Sequence, residues 1–182
     1  MYLAIDIGGT KTLVASLDDN GVIAERVRFE TPKNYSDFKK ALAESVAKIS
    51  TQKFVACGVG VPGRLDRKRG LALAMGNLPW VNVSIREDVQ KLLTCPVAIE
   101  NDAKVAGLSE AMLLKDTYSR VLFVTISTGI GVGLIVDQSI DPGLADSEGG
   151  QVLVERAGKI EHWEKIASGS AIVQIYGKRA HD

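Results

Sequence analysis

Tyr2-Leu3-Ala4-Ile5-Asp6-Ile7-Gly8-Gly9-Thr10-Lys11-Thr12-Leu13-Val14-Ala15-Ser16-Leu17 opens the chain with a strand–turn–strand pattern. Residues 2–6 and 12–17 are strand-like runs, and Gly8-Gly9 punctuates them. Asp19-Asn20-Gly21 is a strong hairpin turn that leads into a third strand over 22–30. A helix follows over about 36–49, because Phe38, Leu42, Val46 and Ile49 recur at three- and four-residue spacing. Residues 54–61 form a continuous apolar strand ended by Pro62-Gly63. A long connection then reaches a second helix, where Ser84 and Glu87 have capping-box spacing. Residues 97–99 read as a short strand, and 103–114 as a third helix with Asn101 or Asp102 at its N-cap. Linked antiparallel strands followed by alternating helix and strand define an α/β order with a mixed sheet.

The opening of that order recurs after Lys115-Asp116-Thr117. Residues 120–127 and 132–136 are strong strands around a glycine-rich turn, 150–155 offers a third, and amphipathic helical sequence occupies about 162–179. The chain therefore reads as two copies of one architecture, 1–117 and 118–182, the second stopping early. No Pro/Ser-rich linker and no low-complexity stretch separates them.

Composition narrows the class. The 182 residues are 46% hydrophobic and 24% charged, and 22 basic side chains balance 22 acidic ones. Arg67-Lys68-Arg69, the densest basic run, reads as a solvated loop, and nothing suggests a nucleic-acid partner. Cys57 and Cys95 sit in apolar runs and read as buried reduced thiols ahead of a disulfide or metal site. With no basic leader and no long apolar stretch, the expectation is a cytoplasmic protein without a membrane span.

The chemistry concentrates at three places. In Asp6-Ile7-Gly8-Gly9-Thr10-Lys11, glycines at a tight turn let backbone N–H groups approach a phosphate, while Thr10 and Lys11 add a hydroxyl and a cation. Asp6, at the strand end, is placed to hold a magnesium-bound water. The spacing is not that of a Walker A loop, and by itself the segment reads equally as an ordinary hairpin. Ser127-Thr128-Gly129-Ile130-Gly131-Val132-Gly133 repeats the same logic at the matching place in the second copy. Two such loops facing each other would grip one polyphosphate. Glu100-Asn101-Asp102-Ala103 lies between them at a strand-to-helix junction. Helix capping explains Asn and Asp there; the functional alternative makes Asp102 a general base for a sugar hydroxyl.

DIGGTK at 6–11, GVGVPG at 58–63, GNLPW at 76–80, ENDAKVAGLSE at 100–110 and ISTGIGVGLI at 126–135 occur together and in order. In this the chain resembles the ROK family (repressors, open reading frames and sugar kinases). The resemblance implies the ribonuclease-H-like fold of actin and hexokinase, with a complete first lobe and a partial second one. It implies ATP with Mg2+ as phosphoryl donor and a hexose or N-acetylhexosamine as acceptor. Asp102 resembles the family's catalytic base, and Asn77 and Asn101 its sugar-hydroxyl ligands. Gly8, Gly9, Thr10 and Lys11 resemble the first phosphate loop; Thr128, Gly129 and Gly131 resemble the second. Glu148 is similar to the sugar-binding glutamate and Glu164 to a second one, paired carboxylates suiting adjacent hydroxyls.

Departures from the family pattern are plain. Gln151 stands where the family's Glu-x-Gly-His has histidine, and residues 155–163 replace its cysteine-rich zinc segment. His162 alone makes no zinc site, so no structural zinc is expected. Two full lobes would need about 300 residues, and this chain ends just past Ser168-Gly169, so a C-terminal truncation, weak activity of the short chain and homo-oligomerisation through its apolar 162–179 segment are expected. The alternative is a non-catalytic sugar-binding regulator. A DNA-binding repressor is disfavoured because the first phosphate strand begins at residue 2. An actin-like structural ATPase would share the phosphate loops but not the Asn101-Asp102, Glu148 and Glu164 set.

Overall fold

The structure is a computed structural model that describes residues 1–178. The chain packs as two compact units, Met1–Asp102 and the residues from Ala103 onward.

In the first unit, β1 (Tyr2–Ile7), β2 (Lys11–Leu17) and β3 (Ile23–Glu30) run antiparallel. Helix α1 (Tyr35–Val46) follows, then β4 (Cys57–Val61), β5 (Arg64–Asp66), β6 (Leu71–Met75), β7 (Leu78–Val83), α2 (Ile85–Leu93) and β8 (Val97–Asn101). The sheet order is β3-β2-β1-β4-β8, and β4 lies parallel to both its neighbours. This is the mixed sheet expected from the sequence. Alternate residues of β1, Leu3, Ile5 and Ile7, are at most 1% exposed and share one apolar cluster with Val59, Phe38, Leu42 and Val89. Period-two burial on the strand meets the three- and four-residue periodicity of α1 and α2 there. Asn34 fixes where α1 begins, its side chain accepting the Ser36 and Asp37 N–H groups.

The connection over 64–83 is not loop. It forms a separate antiparallel sheet of β5 (Arg64–Asp66), β6 (Leu71–Met75) and β7 (Leu78–Val83), ordered β5-β6-β7. Leu and Ala carry little strand preference, so Leu71-Ala72-Leu73-Ala74 gives no signal of its own. The capping box also fails. Ser84 makes no side-chain cap bond, and Glu87 pairs with Lys91 at 2.6 Å instead. Arg67 is likewise not a solvated charge: its guanidinium holds Glu100.

The second unit opens with α3 (Asp102–Leu113), whose first residue closes the first unit. It then forms β9 (Arg120–Ile126), β10 (Ile130–Val136) and β11 (Ser139–Ile140), in the order β11-β10-β9. The expected third strand near 150–155 appears as β12 (Leu153–Arg156), but it pairs with β13 (Lys159–His162) in a hairpin, and β11 takes the third place beside β10. The single helix expected over 162–179 is two, α4 (Trp163–Ala167) and α5 (Gly169–Tyr176); Arg179 lies outside the described residues. Ser168 breaks them because its backbone is extended (φ −75°, ψ 164°) and its hydroxyl accepts the Ala171 N–H to cap α5.

The sequence repeat at 117/118 and the packing boundary at 102/103 differ by helix α3. Its inner face belongs with β9 and β10: a β-carbon on Gly107 would stand 2.9 Å from Cβ of Phe123, and buried Lys104 donates to the Ser147 carbonyl at 2.9 Å. Among the described residues no helix is long and apolar enough to cross a membrane.

Candidate active site

The turn between β1 and β2 is braced from one side. Thr31 Oγ1 donates to the Gly8 carbonyl at 2.8 Å, Lys33 Nζ to the Gly9 carbonyl at 3.1 Å, and Thr31 N–H to the Thr10 carbonyl at 2.8 Å. Successive carbonyls are thus drawn toward residues 31–33. In a trans peptide the N–H points opposite to its C=O, so the Gly9 and Thr10 N–H groups are turned the other way. Adjacent N–H groups turned to one side of a turn are the arrangement that suits an anion. Lys11 lies one step further on, exposed and in register with Glu30.

Asn77 arrives at this turn from the β6–β7 corner. A β-carbon on Gly9 would stand 2.5 Å from Cβ of Asn77, so only glycine admits the approach. Trp80 fixes the corner from below, buried against Phe38 with ring centroids 4.6 Å apart and donating its indole N–H to the Lys33 carbonyl at 2.8 Å.

Parallel pairing of β1, β4 and β8 lines up Asp6, Gly60 and Glu100 across the sheet. A β-carbon on Gly60 would lie 3.6 Å from Asp6 Oδ1 and 3.9 Å from Cα of Asp102, so the two aspartates flank the bare backbone of β4. Burial pushes the Asp6 carboxyl above its ordinary value, and the negative charge of Asp102 pushes it further; Arg28 acts the other way. Beside them, Glu100 accepts Arg67 Nε at 2.7 Å, the Arg67 terminal nitrogen at 2.6 Å and the Asn101 N–H at 2.6 Å. Asn101 is buried and donates to the Gly63 carbonyl at 3.2 Å, which ties the corner to the end of the Gly58–Gly63 motif. The strand-to-helix corner bearing Asp102 is therefore clamped on both sides.

In the second unit, the turn between β9 and β10 has its carbonyls drawn back in the same manner. Gly169 N–H donates to the Ser127 carbonyl at 2.7 Å and Ser170 N–H to the Thr128 carbonyl at 3.3 Å. Glu164, expected as a sugar ligand, lies against this turn: its Oε2 accepts the Ile130 N–H at 3.0 Å and would stand 2.3 Å from a β-carbon on Gly129. Its other oxygen takes Gln151 Nε2 at 3.4 Å. Gly131 approaches Ala103 and Thr125, whose carbons would meet its β-carbon at 2.7 and 2.9 Å. Glu148 precedes the short 3-10 turn Gly149–Gln151, next to the Ser147 carbonyl that Lys104 holds.

The structure thus brings Gly9 to Asn77, Asp6 to Asp102, and the Thr128-Gly129 turn to Glu164. Lys33, Arg67 and Lys104 were missed in the sequence. Each bonds a partner distant in the chain, and no local spacing signals such a bond. Among the described residues no three of His, Cys, Asp and Glu come together as a metal site, and His162 Nδ1 lies 3.0 Å from the Gln151 carbonyl. Cys57 and Cys95 are buried free thiols, and burial, with Cys95 adding to it, pushes the Cys57 thiol up to about 12.

This geometry coincides with clear kinship: the chain belongs to the ROK family, which it matches over residues 2–182. It is 30% identical to a glucokinase of Streptomyces coelicolor across 100% of its own length and 60% of that protein's. It is 37% identical to an N-acetylgalactosamine kinase of a Shewanella species across 75% of its length and 46% of the other's. The structure superposes on a ROK glucokinase from Streptomyces griseus, solved with glucose and AMPPNP, with a TM-score of 0.81 at 29% identity, covering 95% of this chain and 59% of that one. The fold is therefore the actin/hexokinase-type α/β fold of the ROK sugar kinases, and the chain covers between 46% and 60% of the length of these relatives.

Proposed function

We propose that this protein transfers the γ-phosphoryl group of ATP to a hydroxyl of a hexose or N-acetylhexosamine. Residues 1–102 form the first lobe, and the residues from Ala103 onward, with helix α3, contribute to the second. The observation that carries the reading is Asp102 at the clamped end of β8, opposite Asp6 across Gly60. Asp102 takes the proton of the attacking hydroxyl. The sugar oxygen then bonds to the γ-phosphorus as the bond to the β–γ bridging oxygen breaks, giving sugar phosphate and ADP.

Asn77, Asn101, Glu148 and Glu164 hold sugar hydroxyls. The Gly9 and Thr10 N–H groups, with Lys11, hold phosphate oxygens in the first unit, and Thr128, Gly129 and Gly131 do so in the second. Because Glu164 already takes the Ile130 N–H, that group is not among the phosphate donors while the bond persists. Mg2+ fits Asp6, because a cation offsets the negative charge that Asp102 imposes there. Bound there through water, Mg2+ would neutralise developing phosphate charge. The soluble, cytoplasmic setting and a homo-oligomeric state belong to this proposal.

The test is transfer of labelled γ-phosphate from ATP to glucose, N-acetylgalactosamine and N-acetylmannosamine by the full gene product. Sugar-dependent ADP release supports the reading. Stoichiometric sugar binding without transfer supports the alternative, a non-catalytic regulator.

A further inference from the structure

We infer that Lys33 is a positioning residue that couples the phosphate turn to the sugar-binding corner. The inference rests on the reading of the Gly8–Lys11 turn and Asn77 given above. Lys33 Nζ donates to the Gly9 carbonyl at 3.1 Å and to the Asn77 carbonyl at 2.9 Å, so one ammonium joins the two segments directly. Its own backbone is anchored, since its carbonyl accepts the indole N–H of buried Trp80 from the strand that follows Asn77. The side chain therefore spans a gap between two points that the fold already holds near each other.

The consequence follows from peptide geometry. The Gly9 carbonyl and the Thr10 N–H belong to one rigid trans plane. Whatever turns that carbonyl turns the donor offered to phosphate. When a sugar settles on Asn77 it draws on the Asn77 backbone, the ammonium follows, and the Gly9–Thr10 plane is set for the nucleotide. The reverse holds equally, because coupling between two binding sites is reciprocal. The close contact of Gly9 with Asn77 transmits displacement by packing alone; Lys33 adds direction, because it acts on the carbonyl and not on the β-carbon.

The experiment uses Lys33→Met and Lys33→Arg with amide-resolved NMR, with AMPPNP and glucose as probes and N-acetylgalactosamine as a second sugar. Without ligand, Lys33→Met lowers the 15N order parameters of Gly9, Thr10 and Asn77 together, from about 0.85 toward 0.6. Leu3 and Ile5 in the core stay unchanged, which separates a loosened link from unfolding. Lys33→Arg retains a cation of sufficient reach and restores both turns. With ligands, AMPPNP tightens sugar binding about fivefold in the native protein and leaves it unaltered in Lys33→Met. A Lys33→Met protein in which only one turn loosens, or neither, overturns the link even if no sugar binds at all. So does a coupling that survives in Lys33→Met. Failure of every sugar to bind the native protein sinks the sugar-kinase reading instead, while the ligand-free arm still decides the role of Lys33.

Discussion

The α-carbon of Gly9 faces the side chain of Asn77 so closely that a β-carbon there would stand 2.5 Å from Cβ of Asn77. A residue read from its motif as belonging to a phosphate turn therefore also sets the position of Asn77, which we propose holds a sugar hydroxyl. Gly9→Val is expected to weaken sugar affinity along with the nucleotide affinity that its motif suggests. Overpacking of this kind costs about 1–3 kcal/mol, roughly 5- to 150-fold in dissociation constant. Calorimetric titration with glucose and with AMPPNP checks it, and a loss confined to AMPPNP would show that Asn77 moves aside freely.

The Asp6 carboxyl sits above its ordinary value of 3.8 through burial first and Asp102 second. The native state therefore binds that proton more tightly than the unfolded chain does. Stability contributed at this site is full below pH 3.8, falls as the pH rises through the raised native value, and stays low above it. Asp6→Asn removes this dependence, so denaturant midpoints of mutant and native protein should diverge in the mutant's favour as pH rises across that window. Asp102→Asn removes the second cause and should lower the Asp6 titration midpoint, read by carboxyl NMR.

Glu100 receives a two-pronged guanidinium bond from Arg67 and the N–H of Asn101, all at 2.6–2.7 Å. Arg67→Met leaves that carboxylate half-buried and without its counter-charge. A loss of about 1.5–3 kcal/mol is expected from hydrogen bonds to a charged group, measured by urea unfolding. Because the bond holds the corner before Asp102, kcat should fall more than KM rises.

Much of this architecture was legible because burial imposes periodicity. Leu3, Ile5 and Ile7 alternate, Phe38, Leu42 and Val46 recur every four residues, and the resulting strands and helix stand where that pattern places them. The sheet over 64–83 was not legible, since Ala72 and Ala74 fit strand and helix alike. Asp6 and Asp102 were visible as motif residues, but their proximity depends on parallel register through Gly60, which no spacing encodes. Arg67 was misread because a run of three basic residues resembles a solvated face until one of them meets Glu100.

The strand positions that carry the core of the first unit have exposed counterparts in the second. Leu3, Ile5 and Ile7 are 1%, 1% and 0% exposed, whereas Leu122, Val124 and Ile126, equally spaced on the first strand of the repeated hairpin, are 63%, 38% and 57% exposed. Val173, Ile175 and Tyr176 of α5 add more apolar surface. The 182-residue chain by itself is expected to self-associate through this surface. Sizing with light scattering checks it, and Leu122→Lys with Val124→Lys should shift the chain toward monomer.

Asp102 is the centre of the proposed chemistry. Asp102→Asn in the full gene product keeps the shape of the corner while removing the proton acceptor. Sugar-dependent ADP release should fall about 10²–10⁴-fold, the usual loss when a general base is removed, with sugar binding still measurable by calorimetry. Turnover near that of the native protein would show that Asp102 is a helix-starting residue and nothing more, and the proposed chemistry would have to be abandoned.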